Sequence, residues 1–90
     1  MARYELLIKP SARRELAGIA SRKDRERVSG AIARLADEPR PAGSQKLAGA
    51  DGLYRVRTGD FRIVYEVDDG RVVVVVIRVA HRRDVYRRLG

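Results

Sequence analysis

The sequence predicts an α+β domain in which two helices pack on an antiparallel-rich sheet. Three observations carry that expectation. Apolar residues alternate with polar ones near the N-terminus and again from Leu53 onward, the signature of strands with one buried face. Between them lie two segments with apolar residues at helical spacing. The chain has 90 residues, enough for a single domain over 1–90 with one modest core. The expected element order is β-α-α-β-β-β, with room for a short terminal helix.

Arg3 to Lys9 alternates, with Tyr4, Leu6 and Ile8 on one side. Pro10 and Ser11 end that strand, and Ser11 is placed to cap a first helix carrying Ala12, Leu16, Ile19 and Ala20. Ser21 followed by Asp24 resembles a capping box for a second helix, whose stripe is Val28, Ala31, Ile32, Leu35 and Ala36. Pro39 disfavours helix at the residue before it, so this helix is expected to stop near Asp37 and Glu38. The stretch from Arg40 to Gly52 is loop-rich, with a short edge strand expected around Gln45 to Leu47. Three strands follow, turning at Thr58-Gly59-Asp60 and at Asp68-Asp69-Gly70. The run from Val72 to Val79 is almost unbroken in branched apolar residues and predicts a central strand buried on both faces.

Composition removes several classes of function. There is no cysteine and one histidine, and the carboxylates fall on helices and turns without ligand spacing. Disulfide, thiol and metal chemistry are therefore not expected, and no cofactor is. Glycine-rich phosphate loops and hydrolase serine motifs are absent. Asp68-Asp69-Gly70 reads as a turn, not as a catalytic carboxylate pair. The longest apolar run, Val72 to Ile77, is far too short for a bilayer, and MARYELLIKP has no signal-peptide pattern, so a cytoplasmic protein is expected.

Twenty Lys plus Arg against 12 Asp plus Glu give a net charge of +8, a balance that favours an anionic partner such as nucleic acid. Codon bias in a GC-rich genome explains a preference for arginine over lysine; it explains clustering less well. Alternation puts Arg55 and Arg57 on one strand face, with Tyr54 and Val56 on the other. After the turn, Phe61, Ile63, Tyr65 and Val67 face a core and leave Arg62 opposite. Three guanidiniums on a sheet face, beside a second cluster at His81-Arg82-Arg83, can hold a phosphodiester. Arginines also blunt exposed sheet edges, so the face alone does not establish a site. Tyr86 lies four residues after Arg82, and on a helical turn the two would be neighbours able to clamp a base and its phosphate. A hydrophobic plug formed by Val85, Tyr86 and Leu89 is the plainer alternative.

At these residues the chain resembles the RelE family of toxins from type II toxin–antitoxin systems, within the RelE/ParE superfamily. The resemblance spans the whole chain and is sharpest at Lys46-Leu47-Ala48-Gly49, Leu53-Tyr54-Arg55-Val56-Arg57, Asp60-Phe61-Arg62-Ile63-Val64-Tyr65 and His81-Arg82-Arg83-Asp84-Val85-Tyr86. It implies a ribosome-dependent endoribonuclease that cuts mRNA in the A site. In such a reaction the 2′-OH attacks the adjacent phosphate and leaves a 2′,3′-cyclic phosphate. Carried over by position, Arg55 and Arg57 stand near the attacking hydroxyl and Arg62 on the scissile phosphate. Arg82, or its neighbour Arg83, stands near the leaving oxygen, and Tyr86 positions the nucleotide. Lys46, His81 and Arg83 are the expected flanking RNA contacts. The best-studied members carry lysines where this chain has Arg55 and Arg57, and arginine stays protonated, so it stabilises charge but is a poor base. The implied partners are the ribosome, mRNA and an acidic, partly disordered antitoxin that folds over the basic surface in a hetero-oligomer. The rival reading is a ParE-like, non-enzymatic inhibitor of DNA gyrase on the same scaffold.

Overall fold

The computed structural model describes residues 3–49 and 51–83. Its elements are β1 (Glu5–Ile8), α1 (Pro10–Ala17), α2 (Arg22–Arg34), β2 (Gln45–Lys46), β3 (Leu53–Thr58), β4 (Phe61–Asp68) and β5 (Val73–His81). The five strands form one sheet in the order β1-β5-β4-β3-β2. Three of the pairings are antiparallel, and β1 joins β5 in parallel. The expectation of an α+β domain with an antiparallel-rich sheet therefore holds, the one parallel pairing making the sheet mixed.

Pro10 starts the first helix, where its missing N–H costs nothing, and Lys9 occupies the cap position without a side-chain bond. Ser11 is thus inside the first turn and caps nothing. The helix ends at Ala17, so Ile19 and Ala20 lie in the connection, yet Ile19 remains buried. Ser21 does cap α2: its Oγ accepts the Asp24 N–H at 3.2 Å. That helix stops at Arg34, a few residues before the position set by Pro39. Leu35, Ala36 and Asp37 instead donate three residues back, to Ile32, Ala33 and Arg34, and the chain tightens before it leaves the helix.

Both helices cover one sheet face. Ala12, Ile19, Val28, Ala31, Ile32 and Leu35 meet Ile63, Tyr65, Val67, Val74, Val76 and Val79 in a single core. Val28, Leu35, Ile63 and Tyr65 are among its fully buried side chains. The other face is open. Strand β5 accordingly buries Val74 and Val76 while Val73, Val75 and Ile77 stay half-buried, so it is not buried on both faces. It begins at Val73, because Val72 adopts a left-handed φ of 59°.

A bulge in the β4–β5 ladder matters for the site. Tyr65 pairs with Val76 but Val64 pairs with Arg78, leaving Ile77 unopposed. The core-facing set therefore switches from Val74 and Val76 to Val79. Glu15 of α1 secures this kink, accepting the Val79 N–H at 2.8 Å on one oxygen and Arg78 Nη2 at 3.2 Å on the other.

Candidate nucleic-acid interface

Local pairing makes the arginine face. Strands β3 and β4 join through Gly59 and Asp60, with Gly59 at φ 60°, the left-handed conformation a two-residue hairpin needs at its first position. That turn sets the register Arg57 opposite Arg62 and Arg55 opposite Val64. Cross-strand partners share a face, so all three guanidiniums stand on the open side. On the buried side Val56 opposes Ile63 and Tyr54 opposes Tyr65, the two phenol rings stacking at 5.9 Å. Arg55, Arg57 and Arg62 then line one groove of about 490 Å³ with Gly43 and Gln45. Arg62 is anchored deeply enough that its Nε is buried.

The far end of the same open face is net acidic. Glu5, Glu66 and Asp68, with Arg71 as the one cation among the described residues there, surround Leu7, Val73 and Val75. An anion is thus drawn to one end of the sheet, where the field of three cations adds.

The segment between α2 and β2, which supplies Gly43 and leads into Gln45, is held from several sides. The Tyr65 hydroxyl donates to the Pro39 carbonyl at 2.8 Å. Arg40 bonds Asp69 through both terminal nitrogens, at 2.6 and 3.3 Å, donates to the Tyr54 hydroxyl at 3.0 Å, and lies over the Tyr54 ring at 5.2 Å. Tyr4 completes the group by donating its hydroxyl to Asp69 at 2.6 Å. The Arg40 guanidinium, and then the Tyr4 hydroxyl, hold the Asp69 carboxyl below the usual carboxylate range. The Tyr4 phenol is raised in turn by its bond to Asp69, and burial pushes the Tyr65 phenol up. Gly43 turns within this segment at φ 90°, a conformation that a side chain would strain. None of the Arg40 contacts was legible in the sequence, because they join residues 14 and 29 positions apart.

The other expected site residues divide. Arg82 donates its backbone N–H to the Asp60 carbonyl at 2.8 Å, which ties it to the end of the sheet two residues from Arg62. Because the bulge shifts the alternation of β5, Ala80 pairs with Arg62 on the open side, and the strand ends at His81, just before Arg82. His81 does not join the groove. It opposes Phe61 and meets that ring edge-on at 5.4 Å, on the helix-covered side, where it lines a separate pocket with Glu15. Lys46 opposes Tyr54 and not Arg55, which also turns it away from the arginines. Arg83 is exposed, with its N–H directed at His81 Nδ1. Tyr86 lies outside the described residues, as do Asp84, Val85, Leu89 and the expected terminal helix. Among the described residues no group of His, Cys, Asp and Glu side chains could hold a metal ion, and no helix is long and apolar enough to cross a membrane.

The chain is thus a small α+β domain with a cationic groove on its open sheet face, and comparison with known proteins narrows its class. Residues 6–86 match the family model described as ParE toxin of type II toxin-antitoxin system, parDE. Toxin RelG of Mycobacterium tuberculosis is 34% identical over 85 residues, covering 94% of this chain and 98% of that protein. Among solved structures, the archaeal RelE-RelB complex from Pyrococcus horikoshii matches with a TM-score of 0.78 and 26% identity, over 91% of this chain and 97% of that one. The intact E. coli RelBE toxin-antitoxin complex matches with a TM-score of 0.73 and 30% identity, over 87% and 95%. The chain belongs to the RelE/ParE family of type II toxin–antitoxin systems and is a toxin of RelE type.

Proposed function

We propose that this toxin is an endoribonuclease that cuts mRNA on the ribosome. The observation that carries the reading is the convergence of Arg55, Arg57 and Arg62 on one groove. In the reaction the 2′-oxygen bonds to the adjacent phosphorus and the P–O5′ bond breaks. The proton of the 2′-OH is lost, the 5′-oxygen gains one, and a 2′,3′-cyclic phosphate remains. Fixed guanidiniums stabilise the charge that accumulates on the phosphorane, and they need no reorganisation as it forms. In this assignment Arg62 holds the scissile phosphate, Arg55 and Arg57 flank the attacking hydroxyl, Arg82 or Arg83 serves the leaving oxygen, and Tyr86 stacks on the nucleotide.

A guanidinium is a weak proton acceptor. Catalysis then depends on charge and on holding the 2′-oxygen in line. The ribosome, by shaping the mRNA, supplies that second element, and free RNA is a poor substrate. A cytoplasmic site of action follows.

The antitoxin is an acidic chain that folds over the basic face and neutralises it. RelE–RelB complexes among the structural relatives support this pairing. Gyrase inhibition is the second reading, favoured by the ParE description of the family model. Mapping mRNA 5′ ends after controlled expression separates the two. Cuts inside translated codons are expected; intact mRNA with accumulating DNA breaks would transfer the assignment to gyrase.

A further inference from the structure

Among the described residues, Gln45 is the one uncharged polar side chain lining the arginine groove. It stands opposite Arg55 in the β2–β3 ladder, and its Oε1 accepts both Arg55 Nε at 3.1 Å and Arg55 Nη2 at 2.8 Å. A guanidinium only donates, so the amide must turn its oxygen to Arg55 and its NH2 group away. Two of the five guanidinium N–H groups are thereby spent on Gln45, which fixes the plane of the fork about its own axis. Among the described residues nothing bonds Nη1, and that edge is left for a ligand.

The charge of the partner is the informative feature. A carboxylate would grip the same two nitrogens more strongly, because charge-assisted bonds to arginine are roughly twice as strong as neutral ones. It would also cancel one of the three positive charges that the groove presents. A carboxamide gives the orientation and leaves the charge intact. Selection for stability alone would favour the acid at this position.

We propose that Gln45 is a positioning residue that sets the orientation of Arg55 toward the RNA phosphate while preserving the groove's full positive charge. The assignment rests on the nuclease reading above, and its test separates the two.

Three variants, Gln45→Ala, Gln45→Glu and Arg62→Gln, are compared with the wild type in three measurements. These are cleavage of ribosome-bound mRNA, binding of a single-stranded 2′-O-methyl RNA oligonucleotide across a salt series, and thermal unfolding. For Gln45→Ala the charge remains and only orientation is lost, so kcat falls about tenfold while KM stays within about twofold. For Gln45→Glu the melting temperature equals or exceeds that of the wild type. RNA binding weakens about tenfold, and the slope of log affinity against log salt shrinks by about 0.7, as for one lost phosphate contact on a single strand.

A residue with a purely structural role would show the reverse, with the acid tolerated in binding and the alanine variant losing stability along with activity. Wild-type kinetics and binding in both Gln45 variants would overturn the proposal. If Arg62→Gln is inactive in that same experiment, the nuclease reading survives and only Gln45 is dismissed. If no protein cleaves, the nuclease reading falls, and the salt slope of Gln45→Glu alone still decides whether the Gln45 contact preserves a phosphate-binding charge.

Discussion

Arg57 stands directly across from Arg62 in the β3–β4 ladder. Like charges facing each other across an antiparallel pair destabilise it, by about 0.2–1 kcal/mol. The arrangement works against the fold and in favour of an anionic ligand that would sit between the two cations.

Replacing Arg62 by glutamine should therefore separate function from stability. The variant is expected to stay folded and to melt within a few degrees of the wild type, because relief of the repulsion with Arg57 offsets part of what the half-buried Arg62 side chain contributes. It should lose toxicity and cleavage together. Thermal unfolding beside growth arrest and ribosomal cleavage checks both halves, and full arrest by the folded variant would remove Arg62 from the mechanism.

Arg57 tests whether the site holds a base. Lysine keeps the cation but loses the planar fork. Arg57→Lys is expected to cut more slowly, with little new pH dependence, and Arg57→Ala to be severely impaired. If the lysine variant cuts faster with a rate that climbs steeply with pH, a titratable group belongs at this position, since neighbouring cations can drive an ammonium toward neutrality.

The ties around Asp69 make part of the stability sensitive to acid. Its carboxyl is held below the ordinary value by Arg40 and then by Tyr4. A group whose folded value is depressed contributes fully above its unfolded value, about pH 4. That contribution is lost as pH falls through the lower folded value. Urea unfolding of wild type and Asp69→Asn across a pH series should show a gap at neutral pH that closes below about pH 4. A gap independent of pH would assign the effect to packing.

Val72 is the only non-glycine residue with positive φ among the described residues, at 59°. A β-branched side chain in this region costs roughly 1–2 kcal/mol. Val72→Gly relieves that strain against an entropic cost of about 0.5–1 kcal/mol, so the melting temperature should rise by a few degrees. Val72→Ile should give no gain. A drop in the glycine variant would mean that the half-buried Val72 side chain contributes more through packing than its backbone costs.

The sheet's two faces were legible from the sequence because alternation is local. Tyr54, Val56, Ile63 and Tyr65 declared a core side, and Arg55, Arg57 and Arg62 declared the other, before any strand was paired. The Ser21 cap and the Gly59 turn were readable for the same reason, since each rests on residues within a few positions. The first helix was misread at its start because Ser11 has cap chemistry, while Pro10 already fits the first turn.

Length, charge, the alternation of the strands and the arginine face follow from the chain alone, because each depends on near neighbours. The tertiary structure decided what depends on distant ones. It put β1 beside β5 in parallel and brought Gln45 onto Arg55 and Arg40 onto Asp69. It also placed Ile77 in a bulge, which sends His81 to the helix side, and tied the Arg82 N–H to the Asp60 carbonyl. An unbroken alternation from Val74 would have put His81 with the arginines. One unopposed residue reverses every side chain after it, and only the pairing with β4 and the grip of Glu15 on Val79 select where that reversal falls.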